Sequence, residues 1–100
     1  MRRVLAFYQF LTLKDPPGEC DRLQTLGDEL GLRGTILVAG EGVNGTVGGD
    51  VQALHQLSQY LTERYGVKSQ KWSDLSTSNS GFHRFKARVK PEIVSFGVDD

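Results

Sequence analysis

The sequence predicts a two-layer α+β domain, with two helices packed on one face of an antiparallel sheet and the other face open. Three observations predict it. Five stretches of strand character and two of helical character run in the order β-α-β-β-α-β, with one strand added. Each helical stretch carries a single apolar stripe, so each has one face to bury. The last strand alternates charge and apolar residue, FKARVK, as a strand does when one of its faces is solvated. This order is the split βαβ, or ferredoxin-like, plan.

The first strand is VLAFYQF, residues 4–10, apolar on both parities as an interior strand is. DPPG, 15–18, is a turn. Cys20, Leu23, Leu26 and Leu30 then recur at spacings of three and four and predict a helix that stops at Gly31. Gly27 lies inside it at a cost of about 1 kcal/mol against alanine; a close helix–sheet contact would account for it. RGTILVA, 33–39, is the second strand. GEGVNG, 40–45, is turn-rich and leads through NGTVGG into the third, so the pair reads as a β-hairpin. Asp50 caps a second helix whose stripe is Val51, Leu54, Leu57, Leu61 and Tyr65, and Gly66 ends it. VKSQKWS, 67–73, is a fourth strand, DLSTSNSG, 74–81, a polar loop, and RFKARVKPEIV, 84–94, the last strand, with Pro91 at an edge or bulge.

At 100 residues the chain fits one domain. No apolar run approaches the roughly 20 residues of a membrane span. MRRVLAFYQFL resembles the start of a signal peptide, but Tyr8 and Gln9 interrupt its apolar run and its residue types suit a strand. The single cysteine, Cys20, excludes an internal disulfide and a thiolate metal cluster, and fits a reducing, cytoplasmic setting. Twelve basic and twelve acidic residues cancel. Their distribution does not: Lys14 to Gly31 carries two bases and five acids, a net of −3, and Arg64 to Lys90 seven bases and one acid, a net of +6.

Gly40 to Gly45 spells G-x-G-x-x-G, but a dinucleotide loop opens directly into a helix, whereas TVGG intervenes here. Two histidines without a carboxylate cluster do not make a metal site. His55 flanks the stripe of the second helix; His83 precedes Arg84, where it could touch a phosphate or tie down its loop. Cys20, in an acidic stretch, reads as a buried helix residue rather than a nucleophile. The basic strand is the strongest signal. A solvated face explains why Arg84, Lys86, Arg88 and Lys90 are polar, but not why all four are positive. Lys68 and Lys71, on a strand expected beside it, add to the same sign, and Trp72 offers an aromatic platform. Bases fix a phosphate backbone, and aromatics stack unpaired nucleobases.

GTILVAGEGVNGTVGG and FHRFKARVKPEIVSFG together resemble the N-terminal, acylphosphatase-like domain of the bacterial rhodanese-like tRNA uridine hydroxylases, formerly described as rhodanese-related sulfurtransferases. The matching residues are Gly34, Thr35, Glu41, Gly42, Asn44, Gly45 and Thr46, then Phe82, His83, Arg84, Lys86, Arg88, Lys90, Glu92, Ile93, Val94 and Gly97. FYQF, 7–10, resembles that family's opening motif. Acylphosphatases themselves are similar in fold order only: LTLKDPPGE, 11–19, lacks the arginine of their phosphate loop. The resemblance implies a domain over 1–94 and, at 95–100, the start of a linker to a rhodanese domain absent from this chain. It implies oxygen-dependent conversion of the tRNA wobble uridine to 5-hydroxyuridine, with the reactive cysteine in the rhodanese domain; Cys20 does not match it. This chain alone would then be inactive, with no catalytic residue, metal or cofactor of its own. Its implied partners are tRNA and the rhodanese domain. Two roles stay open: contact with RNA through Arg84, Lys86, Arg88, Lys90, Lys68, Lys71 and Trp72, or a scaffold that docks its partner domain through Glu41, Asn44 and His83.

Overall fold

Seven elements make up the computed structural model, which describes residues 2–74 and 84–91. They are β1 (Arg2–Phe10), α1 (Pro16–Glu29), β2 (Arg33–Ala39), β3 (Gly42–Asp50), α2 (Val51–Tyr65), β4 (Ser69–Asp74) and β5 (Phe85–Val89). The strands lie in the order β4-β1-β3-β2-β5. The first four pair antiparallel, but β5 runs parallel to β2. The sheet is therefore mixed, not wholly antiparallel. A strand that reverses direction after β4 runs the same way as β2, whose outer edge is the one it joins.

Both helices cover one face. Leu5, Phe7, Ile36, Val38, Val43 and Val47 point from the sheet into the core, where they meet Leu23 of α1 and Leu54, Leu57 and Leu61 of α2. Alternation along each strand then sends the other residues to the open face. Pairing Ala39 with Gly42 leaves only Gly40 and Glu41 as the turn, so the last two glycines of the G-x-G-x-x-G run are strand residues.

α1 starts earlier than its apolar stripe predicts, at Pro16, because proline at the first helical positions loses no hydrogen bond. The Asp15 carboxylate accepts a hydrogen bond from the Gly18 amide at 3.2 Å. α2 is capped by Asp50 at one end and by Gly66 at the other. Gly66 takes a φ of +67°, and the Val67 amide behind it donates to the Leu61 carbonyl. β5 ends at Val89, short of Pro91, which has no amide hydrogen to donate.

Two contacts fix the helices. Gly27 lets α1 settle onto β5: a β-carbon there would lie 2.2 Å from Cε2 of Phe85. Between the helices, Arg64 donates twice to the Glu19 carboxylate, at 2.8 Å each, and the Tyr65 hydroxyl donates to the same group at 2.7 Å. Those hydrogen bonds, Arg64's first, hold the Glu19 carboxyl down to about 2, against its burial. Burial, and then the bond to Glu19, push the Tyr65 hydroxyl above its ordinary value.

Candidate nucleic-acid interface

The open face is built from alternate residues of five strands, and the register places them in rows. One row runs Ser69, Tyr8, Asn44, Leu37, Arg88. The next runs Lys71, Ala6, Thr46, Thr35, Lys86. Basic side chains thus flank the face on both sides, Lys71 on β4 and Lys86 and Arg88 on β5. Arg2 and Arg33 lie on the same face toward one end. Among its described strand positions these five bases meet one acid, Asp50. α1, on the opposite side of the sheet, carries four acids and one base.

The edge strand that presents Lys86 and Arg88 is itself held from outside. The Gln24 amide of α1 donates to the Phe85 carbonyl at 3.2 Å and accepts from the Ala87 amide at 2.8 Å. One side chain therefore satisfies the edge as a sixth strand would. Arg84 and Lys90 continue the pairing at either end, the Arg84 carbonyl accepting from Gly34 and the Lys90 amide donating to Val38.

Several sequence expectations are corrected by this register. β4 and β5 are not neighbours but opposite edges, three strands apart, so Lys71 does not extend the stripe of Lys86 and Arg88. Trp72 does not stand beside Lys71 either. Adjacent strand residues point to opposite faces, and Trp72 turns to the helix side, its ring 4.9 Å from that of His55 and 5.7 Å from the Arg3 guanidinium. Lys68 precedes β4; its amide donates to the Gln9 side chain at 2.9 Å and its own side chain is exposed. Asn44 is a strand residue at the middle of the open face rather than a loop residue. Glu41 is exposed in the hairpin turn. His83 lies outside the described residues, as do Phe82, Glu92, Ile93, Val94 and Gly97. Cys20 is buried, and burial, then the charge of Asp21, push its thiol up.

Sequence reasoning misses two residues of this face, Tyr8 and Phe10, which are 50% and 52% exposed. The signal is present in FYQF, since an uncovered sheet face must expose one parity of any strand that is apolar on both.

Residues 2–93 match the family model described as UPF0176 acylphosphatase-like domain. The chain belongs to this family. The chain is 38% identical, over 96% of its length, to a protein of Acinetobacter baumannii named tRNA uridine(34) hydroxylase. It is 41% identical over 95% of its length to a protein of the same name from Deinococcus radiodurans, and 39% over 95% to one from Synechocystis. It spans about a third of those relatives, covering 30%, 31% and 34% of them. The Bacillus subtilis acylphosphatase superposes with a TM-score of 0.62 at 19% identity, over 90% of this chain and all of that one. The BLUF protein BlrB superposes with a TM-score of 0.66 at 14% identity, over 96% of this chain and 78% of that one. Both likenesses concern the fold alone. Among the described residues no helix is long and apolar enough to cross a membrane, and no three metal-ligating side chains come together.

Proposed function

We propose that this chain is the N-terminal domain of a tRNA uridine(34) hydroxylase, and that it holds tRNA by its phosphate backbone along the open face of the sheet. The name comes from relatives that this chain covers for about a third of their length. The observation that carries the RNA contact is one of sign. Among the described residues, five bases and one acid occupy the strand positions of the open face, while α1 on the other side carries four acids and one base. Such a polarised domain turns its sheet, not its helices, toward a polyanion. Lys86 and Arg88 hold one side of the backbone, with Arg84 and Lys90 beside them, and Lys71 holds the other.

Oxygen-dependent hydroxylation of the wobble uridine, and the reactive cysteine it requires, belong on this account to a rhodanese domain of the longer protein, in the cytoplasm. The residues named here hold substrate and do no chemistry. A second reading, a scaffold against that domain, is favoured by Val89, which is 47% exposed at the β5 edge, with Glu41, Asn44 and His83 as docking groups.

Binding of unmodified tRNA to the 100-residue chain, measured by fluorescence anisotropy at two salt concentrations, separates the two. Phosphate contact predicts binding that weakens steeply with salt. Absence of binding at low salt contradicts it and leaves the scaffold.

A further inference from the structure

We infer that Tyr8 and Phe10 form a stacking platform for unpaired nucleobases on the open face, with the Asn44 amide beside them to engage a base edge. The inference rests on the proposed RNA contact and names the form of RNA the face takes.

Three observations converge on it. Tyr8 and Phe10 are two of the three large apolar side chains left exposed among the described residues, and both stand on the open side of β1. Their rings meet edge to face, centroids 6.0 Å apart, which leaves ring surface free for a ligand. The floor next to Phe10 is low, for its row continues through Gly42 and Ala39. Next to Tyr8 stands Asn44, the buried polar residue of the described chain, at 7% exposure. It offers a donor and an acceptor, the complement of a base edge.

Charge selects the occupant. Lys71 lies one strand from Tyr8 on one side, and Arg88 closes its row on the other. Aromatic rings flanked by bases fit a nucleic-acid strand, the rings meeting bases and the cations meeting phosphates. Paired bases are already stacked and do not present their faces, so the ligand is single-stranded.

The test uses labelled single-stranded oligouridine of about ten nucleotides, a length suited to one small domain, and a duplex RNA of equal length. Tyr8→Ala and Phe10→Ala should each weaken oligouridine binding by roughly tenfold, about the weight of one stacked base, with the slope against salt unchanged and duplex binding unaffected. Tyr8→Phe should retain affinity, and thermal midpoints confirm that each variant is folded. Asn44→Ala should alter the preference among oligouridine, oligocytidine and oligoadenosine at unchanged salt slope. If oligouridine binds the wild type and both alanine variants equally, the platform is overturned and phosphate contact stands. Equal losses for duplex and single strand also overturn it. If neither RNA binds the wild type, the proposed RNA contact fails as well, and the aromatic face is left to a protein partner.

Discussion

The ring of Phe85 fills the space that a side chain at position 27 would need. Cε2 and Cζ of Phe85 lie 2.2 and 2.4 Å from the place of a β-carbon on Gly27. The helix carries a glycine at that point so that α1 can rest directly on the edge strand bearing Lys86 and Arg88. Gly27→Ala should improve helix propensity by about 1 kcal/mol and yet destabilise the domain. Forced overpacking costs about 1–3 kcal/mol, and a β-carbon inside a ring falls at the upper end. Urea unfolding of the variant checks this; a gain in stability would show that α1 and β5 separate without cost.

Gln24 predicts a local effect on the same strand. Gln24→Ala leaves the Ala87 amide and the Phe85 carbonyl to find water at the β5 edge. Each of these hydrogen bonds contributes about 1 kcal/mol. Amide exchange at Ala87 should accelerate more than exchange at core residues such as Val47 on β3. Uniform acceleration across the sheet would mean that β5 does not open by itself.

Glu19 predicts the acid limit of stability. Its carboxyl is held at about 2, below the ordinary 4.5, by Arg64 and Tyr65. A depressed carboxyl binds fewer protons folded than unfolded, so its contribution is complete above pH 4.5 and is lost as pH falls from there through about 2. The charged hydrogen bonds contribute about 2 kcal/mol. Glu19→Gln should lower the thermal midpoint at neutral pH and flatten its fall across that acid window. A variant whose midpoint falls as steeply as the wild type's would place the acid sensitivity elsewhere.

Trp72 separates stability from binding. It packs between His55 and Arg3 on the helix side of the sheet. Trp72→Ala should cost about 2 kcal/mol, less than a fully buried aromatic, and leave the tRNA affinity of the folded domain unchanged. Weaker binding by the folded variant would return Trp72 to the interface.

Much of this fold is legible in local pattern. The stripe of Cys20 and Leu23, the caps at Asp50 and Gly66, and the cost of Gly27 are properties of a few neighbouring residues, and the sequence displays them directly. Strand order is not such a property. Nothing within KSQKWS says whether β4 lies beside β5 or at the far edge, because alternation specifies a face and not a neighbour. Pattern alone therefore groups Lys71 with the wrong strand. Trp72 is a different matter, since alternation by itself places it opposite Lys71. Tyr8 and Phe10 are hidden because a strand apolar on both parities reads as buried on both faces, which a two-layer domain does not permit for every strand.

Tyr8 and the basic edges matter only if the sheet meets RNA through phosphates. The most direct test compares the salt dependence of tRNA binding for the wild type and for the Lys71→Ala, Lys86→Ala, Arg88→Ala triple variant. Removing one phosphate-binding cation should make the slope of log K against log salt shallower by roughly 0.7–0.9, so the triple variant should fall short of the wild-type slope by about 2–3. An unchanged slope, with the variant folded, would contradict the account.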